Sequence, residues 1–513
     1  MSQVPRRPHG CWTCRMRHKK CDESVPICQE CSSRHIPCHG YNPIPPQWMH
    51  DHETYQAELH NIKRIVKENF RLAKITQNRC SSTAQHALPG PMSRRHQSSS
   101  PLKSWNGNKT PSILDPYMSI QASNSFIYYL DYIFPLQYPY YVDQPDLGGR
   151  GWLFWLLTKS APLRDAALTL SALYRKHGVS SCRAENQQES LLQHYGRALQ
   201  GLRRALSVGQ VAGLVHNPEQ WLEFVASALN LISFQIFQGG TSNWVPHLTF
   251  LETVLKNSTP STLGDEFARA THKDSESFQS VQTAKNFFIA NLLWFDILAC
   301  VSRGCPPQLP YHEWLCLPDI DMSRVMGCQN WAMIIIGDIA TIESQIKSFN
   351  CQTLQTVINE LAKRVEAGIK TLNAAGPETP LGNTCRPVTR VFATAALVQI
   401  SLVAVQSGLI PPMTSYDAVS RVIEAIRQMP QNSSLRGLVW SICVAGSVAQ
   451  PDQQPFFENL LGDILSHPGS RFGNCATVLS IIKHGWNRAS DECDGSWGPR
   501  RTMADLGICA LLC

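Results

Sequence analysis

Six cysteines, Cys11, Cys14, Cys21, Cys28, Cys31 and Cys38, are the residues of this 513-residue chain best equipped for chemistry. Their spacing is C-x2-C-x6-C, six residues, then C-x2-C-x6-C again, so the second half repeats the first with a shift of 17. A C-x2-C pair offers two thiolates to one metal without strain, and Zn²⁺ takes four ligands in a tetrahedron. Six thiolates serve one zinc wastefully, but they satisfy two if two of them bridge. The repeat points to its equivalent first members, Cys11 and Cys28, as the bridges. Cys14 and Cys21 would complete one site, Cys31 and Cys38 the other. Two Zn²⁺ ions per chain are therefore expected, saturated with sulfur and structural rather than catalytic. So short a fragment has little core of its own, and metal binding should supply its folding energy.

A basic run, Arg15, Met16, Arg17, His18, Lys19 and Lys20, lies between the second and third cysteines. Six thiolates outweigh two dications, so any positive face must come from these side chains. On a short helix they would meet phosphates and reach into the major groove of double-stranded DNA. There Arg and Lys donate to guanine O6 and N7. The wider charge pattern agrees: residues 1–40 hold seven Lys/Arg against three Asp/Glu, within a chain of net charge +7. Basic character gathers where a polyanion would bind.

The elements that must carry this site divide the chain into four stretches. Residues 1–47 form the Cys- and Pro-rich DNA-binding domain. Residues 48–78 turn helical, with Leu59, Ile62, Val66 and Ala73 at three- and four-residue steps and Ile65, Phe70 and Leu72 widening the stripe. Two roles fit that stripe: a short coiled coil whose register Asn69 sets, or one amphipathic helix lying on the C-terminal domain. Residues 79–112 are poor in apolar side chains and read as a disordered basic linker, in which Arg94-Arg95-His96 is either a nuclear-import element or a solvated tract. From residue 113 to 513 apolar helices follow one another and alternating strand patterns are scarce. Asn217-Pro218-Glu219 is a helix start. Leu354, Val357, Ile358, Leu361, Val365, Ile369 and Leu372 mark one buried stripe. The expected fold is a small N-terminal zinc cluster, a flexible linker and a large all-α domain.

Other function classes fall away. Met1 to Gly10 is polar, with no secretory signal, so a reducing compartment and free thiols or metal ligands are expected. The thirteen remaining cysteines read as core or incidental thiols. The apolar run Val391 to Val405 is short for a membrane span and broken by Gln399 and Ser401, so a buried helix and no membrane partner are expected. There is no G-x-S-x-G elbow, P-loop or H-E-x-x-H, and His312-Glu313 lacks the second histidine, which argues against an enzyme. Asp296, inside the apolar stretch Phe287 to Val301, reads as a carboxylate held by a neighbouring donor, with a ligand-sensing contact as the other reading. Trp152 and Trp155 read as core.

Residues Gly10-Cys11-Trp12-Thr13-Cys14-Arg15, Cys21-Asp22-Glu23, Pro26, Cys28, Cys31 and Cys38 resemble the fungal binuclear zinc cluster family. Gly40-Tyr41-Asn42-Pro43 resembles one large branch of it. The resemblance implies that residues placed like Arg17 and His18 contact the bases of a CGG triplet, while those like Arg15 and Lys20 hold phosphates. Position 18 is commonly Lys or Arg in the family; His18 is a weaker donor, which leaves Arg17 as the expected guanine contact. Phe126 to Pro139, Trp152 to Leu173, Phe295 to Ala299, Trp440 to Phe457 and Met503 to Leu512 resemble the fungal-specific regulatory domain that accompanies this cluster. A nuclear regulator of RNA polymerase II transcription is thereby implied. It would bind two half-sites as a homodimer, engage the transcription machinery and control transport, drug-response or clustered biosynthetic genes. The competing reading is a zinc-stabilised protein-interaction module, or a sensor of a small-molecule effector, with only non-specific DNA affinity.

Overall fold

The computed structural model describes residues 10–24, 28–34, 36, 38–40, part of 49–66, 120–143, 149–178, 184–208, 217–241, 243–256, 263, 275–374, 380–431, 433–466, 473–491 and 498–513. The expectations for Pro26, Asn69, Arg94-Arg95-His96 and the linker 79–112 lie outside these residues. The chain divides into two compact units, Met1–Gly107 and Asn108–Cys513.

The first unit holds two five-residue helices, α1 (Trp12–Met16) and α2 (Gln29–Ser33). Each starts directly after a cysteine, Cys11 or Cys28, so the sequence repeat is also a repeat of local structure. Among the described positions 52–66, Ile62 is fully buried in one cluster with Met16, Ile36 and the cysteines. Tyr55, Leu59 and Val66 pack around that cluster. The amphipathic stripe thus has a destination the sequence did not suggest, namely the cysteine module itself. The reason is an apolar deficit: so small a module has few side chains to bury, and full burial of an isoleucine contributes about 1.5–3 kcal/mol.

The second unit is helical, with no strand among the described residues. Its longer helices are α3 (Ile120–Tyr128), α4 (Gly151–Lys159), α5 (Ala161–Gly178), α6 (Ala184–Val208), α7 (Pro218–Phe237) and α8 (Trp244–Lys256). They continue with α9 (Ser275–Arg303), α10 (Asn330–Ser344), α11 (Cys351–Ala374), α12 (Pro380–Gln406) and α13 (Ser415–Arg427). The last are α14 (Val439–Ser447), α15 (Gln454–Ser466), α16 (Cys475–Asp491) and α17 (Pro499–Asp505). Local signals explain their limits. Asn217 Oδ1 accepts from the Gln220 N–H at 3.2 Å to cap α7, and Pro218 follows in the first turn. The chain leaves α7 through Gly239 and Gly240, at φ 110° and 72°, which L-residues rarely adopt. In α11, Leu354, Ile358, Leu361, Val365, Ile369 and Leu372 are all buried on one face.

Helices α9 and α12 form the spine. Gln279–Arg303 and Thr384–Gln406 are long and apolar enough to cross a membrane, yet most residues of their apolar stretches are buried inside the helical unit. Their apolarity is that of a core. Trp152 packs on Phe287 and Phe288 of α9, as a core tryptophan should.

Asp296 of α9 is fully buried and has several donors. Its oxygens accept from the Gln308 and Leu309 N–H groups at 3.0 and 2.9 Å and from Arg303 Nη2 at 3.0 Å. Arg303 Nη1 also lies 2.7 Å from Glu252 Oε1 of α8, an ion pair without hydrogen-bond alignment. Two buried carboxylates thus share one guanidinium. Burial, and after it the Asp296 charge, push the Glu252 carboxyl up to about 7. The folded chain therefore keeps a proton that the unfolded chain releases near the ordinary glutamate value. Stability from this group is full below that value and is lost as pH rises through about 7. Thermal scans from pH 5 to pH 8 should show the melting temperature falling across this window. Glu252→Gln should flatten that part of the profile, and an unchanged slope would exclude Glu252 as its source.

Candidate metal centre and nucleic-acid interface

The six N-terminal cysteines converge on one point. Cys11, Cys14, Cys21 and Cys28 form one group whose sulfurs all lie within 4.8 Å of one another, and Cys11, Cys28, Cys31 and Cys38 form a second. Cys11 and Cys28 belong to both. Sulfur separations are 3.7 Å for Cys11–Cys28, 3.6 Å for Cys14–Cys28 and 3.8 Å for Cys11–Cys31. A tetrahedron with Zn–S bonds of about 2.3 Å has edges of about 3.8 Å, so these spacings suit zinc. They are far longer than the roughly 2.05 Å of a disulfide.

Backbone geometry builds the cradle. The Cys14 N–H donates to Cys11 Sγ at 3.3 Å, and 17 residues on the Cys31 N–H donates to Cys28 Sγ at 3.4 Å. Each shared sulfur thus sits at the start of a short helix, where orphan N–H groups favour a thiolate. The returning segment 38–40 is tied down by the Trp12 N–H to Gly40 O at 3.0 Å and the His39 N–H to Thr13 Oγ1 at 2.9 Å. Asp22 links the halves, accepting from the Ser24 hydroxyl and from the Glu30 N–H at 3.3 Å. Burial pushes the Cys14 thiol up to about 11 and also raises Cys11 and Cys31. For Cys38 burial acts the same way, but backbone N–H groups outweigh it and lower the thiol. Crowded, buried thiols of this kind ionise readily only against a multivalent cation, which is what the donor set offers zinc.

The basic run does not continue as a helix. Arg17 caps α1, and His18 follows with φ 52°, a left-handed turn that ends it. His18, Lys19 and Lys20 emerge from this turn exposed. Arg15 is held back, its guanidinium 4.0 Å over the Trp12 ring. Arg17 is withdrawn further: its side chain is 8% exposed, with Nη1 3.7 Å from Glu30 Oε1. Glu30 also takes Arg34 Nε at 2.7 Å. Glu30 carries no local signal of this role, because it lies 13 positions from Arg17 and only the folded halves bring them together.

Among the described residues no other group of His, Cys, Asp and Glu has metal-binding geometry. Burial raises the Cys300, Cys328, Cys443 and Cys475 thiols, as expected for core cysteines. His312 Nε2 contacts Asp338 at 2.7 Å.

Comparison with known proteins places this geometry. Residues 9–47 match the model of the fungal Zn(2)-Cys(6) binuclear cluster domain, and residues 125–513 match the fungal specific transcription factor domain. The chain is similar to the pestheic acid cluster transcriptional regulator 3 of Pestalotiopsis fici, with 27% identity covering 99% of each chain. It is also similar to the transcription factor dibT of Pestalotiopsis microspora, with 25% identity covering 98% of each. The trichothecene biosynthesis transcription regulator TRI10 of Trichoderma arundinaceum shares 29% identity over 70% of this chain and 90% of its own. No solved structure matches the chain.

Proposed function

The chain belongs to the fungal transcription factors that join a Zn(2)-Cys(6) cluster to a fungal specific transcription factor domain, a family of regulators and not of enzymes, and from that membership we propose a nuclear, zinc-dependent regulator that reads CGG-type triplets. Two Zn²⁺ ions would be held by Cys11, Cys14, Cys21, Cys28, Cys31 and Cys38, with Cys11 and Cys28 bridging. The observation that carries this reading is the pair of overlapping four-sulfur sets directly beneath an exposed basic turn. In this reading the metals do no chemistry. They fix α1 and α2 so that His18, Lys19 and Lys20 project from a rigid base.

Roles within the run follow from exposure. His18 stands at the apex of the turn and is the best placed to touch a base edge, with Lys19 and Lys20 beside it for phosphates or guanine. Arg15 serves phosphates from its place over Trp12. Arg17 reaches DNA only by leaving Glu30. A homodimer on two half-sites remains part of the proposal, but its seam cannot use Ile62, which the module's own core takes up. The related regulators are named for pestheic acid and trichothecene biosynthesis, which makes a clustered biosynthetic pathway the favoured target class here.

Binding of the full chain to CGG-containing and scrambled duplexes tests this reading. Selective binding should exceed non-specific binding by several kcal/mol at physiological salt. Equal affinities would instead indicate a protein-interaction module. His18→Ala should lose about 1–3 kcal/mol of discrimination, whereas Lys20→Ala should weaken all sequences alike. Glu30→Gln should release Arg17 and steepen the salt dependence of log K by about 0.9, the share of one added phosphate contact. An unaltered slope would mean that Arg17 does not reach the backbone even when freed.

A further inference from the structure

A cavity of about 350 Å³ opens in the helical unit between α9, the start of α4, residues 141–142 and the segment 318–325. Its size is typical of small-molecule sites. One wall is aromatic. Trp152 and Phe287 lie 4.9 Å apart between ring centroids, and Tyr141 meets the same Phe287 edge-on at 5.7 Å. Pro318 and Val325 add further apolar lining.

Two polar groups of this lining have bonding capacity left over. Asn286 Oδ1, on α9, is buried without a hydrogen bond. An acceptor stranded in this way costs about 1–3 kcal/mol, which an apolar residue would avoid. The terminal amide torsion is soft, so a modest rotation turns the oxygen towards a donor in the cavity. Tyr141 is its complement. The phenol oxygen accepts from Trp152 Nε1 at 3.3 Å, while its own O–H donates to no group among the described residues. Burial raises this phenol above its ordinary value, so the proton stays and the donor with it. Thr283, by contrast, already gives its O–H to Gln279 O at 2.8 Å.

The charges around the cavity cancel. Asp321 accepts from Arg324 Nε at 3.0 Å and from the Ser323 N–H and hydroxyl at 3.0 and 2.6 Å. Asp319 acts on the buried Lys285 ammonium and offsets part of the effect of its burial. Two carboxylates thus stand against two cations, and neither sign is in excess.

We infer that this cavity binds an uncharged, planar aromatic molecule carrying a hydroxyl or N–H donor and a carbonyl. The donor would meet Asn286 Oδ1, the carbonyl would accept from the Tyr141 hydroxyl, and the rings would lie along Tyr141, Trp152 and Phe287. A ligand seated there ties α4 and α9 to the 318–325 segment and so raises the melting temperature. The inference goes beyond DNA reading, and it is measured without DNA.

Calorimetric titration of the full chain with 7-hydroxycoumarin tests it, at mildly acidic pH where that hydroxyl is un-ionised. Coumarin is the donor-free analogue, 2-naphthol the carbonyl-free one and 7-hydroxycoumarin-3-carboxylate the ionic one. The first compound should bind at least tenfold tighter than each of the other three. Asn286→Leu should erase its preference over coumarin, and Tyr141→Phe its preference over 2-naphthol. A merely structural defect would weaken all four compounds alike and erase neither preference selectively. Should Asn286→Leu not fold, Tyr141→Phe still decides. Equal affinity for the four compounds, tighter binding of the carboxylate, preferences unmoved by the folded variants, or no binding at millimolar concentration would each overturn the assignment.

Discussion

Replacing Cys28 with serine should cost the chain both metal ions and its selective DNA binding. Cys28 belongs to both four-sulfur sets, so in the proposed two-zinc arrangement its loss would leave each zinc with three sulfurs, and a neutral hydroxyl is a poor substitute. The same sulfur receives the Cys31 N–H at the start of α2, so that helix loses its anchor too. Structural zinc contributes on the order of 10–16 kcal/mol to small metal-held folds, far more than Ile62 and its neighbours can replace. Affinity for a CGG duplex should fall to the non-specific level, a loss of about 10³-fold or more. Cys38→Ser touches one set only and should release one ion before the other. Cys316→Ser, at an exposed cysteine of the helical unit, should release none. Native mass spectrometry gives the stoichiometries and fluorescence anisotropy the affinities. Two zincs retained by the Cys28→Ser chain would refute the bridging arrangement.

Arg303→Met should be the most damaging single change in the helical unit, at about 3–5 kcal/mol at pH 8. The volume is nearly kept, but Glu252 and Asp296 lose the cation they share, and both are buried. Asp296 would keep its two backbone donors, whereas Glu252 would be left facing only the like-charged Asp296 and would have to take up a proton. The loss should therefore shrink at pH 5, where protonation is easy. Adding Glu252→Gln to Arg303→Met should restore part of the stability, since it removes one unpaired charge. Urea midpoints at the two pH values measure all of this. A cost below about 1 kcal/mol at pH 8 would mean that the carboxylates find other partners.

The cysteine spacing was fully legible because metal coordination imposes local, countable constraints: a repeat of 17 in sequence became a repeat of helix starts and N–H···S contacts. The helical architecture was legible for a similar reason, since caps such as Asn217 and stripes such as Leu354 to Leu372 are local. What escaped was every pairing made by the fold at a distance. The stripe through Leu59, Ile62 and Val66 is amphipathic as its spacing predicts, yet the face it buries against is the cysteine cluster and not a coiled-coil partner. Periodicity tells which face is buried and not against what. The basic run was expected on a helix, but a left-handed turn at His18 ends α1 first. The order of its cations, with Arg17 inside and His18 outside, depends on Glu30 in the other half. Asp296 was read as a carboxylate held by a neighbour, and its donors are Arg303 and two backbone N–H groups. That Glu252 joins them was invisible, since nothing in α8 marks that residue as buried.

The burial of Ile62 against Met16 and Ile36 changes where the metal-held module should be taken to stop. A swap between relatives that cuts after Cys38 would strip away a packed apolar lid and leave a sticky face on both halves of the chimera. A cut beyond Val66 would carry the whole folding unit across. Because Val66 still packs on the cysteine cluster, the piece that travels with the metal ligands reaches at least that far along the chain.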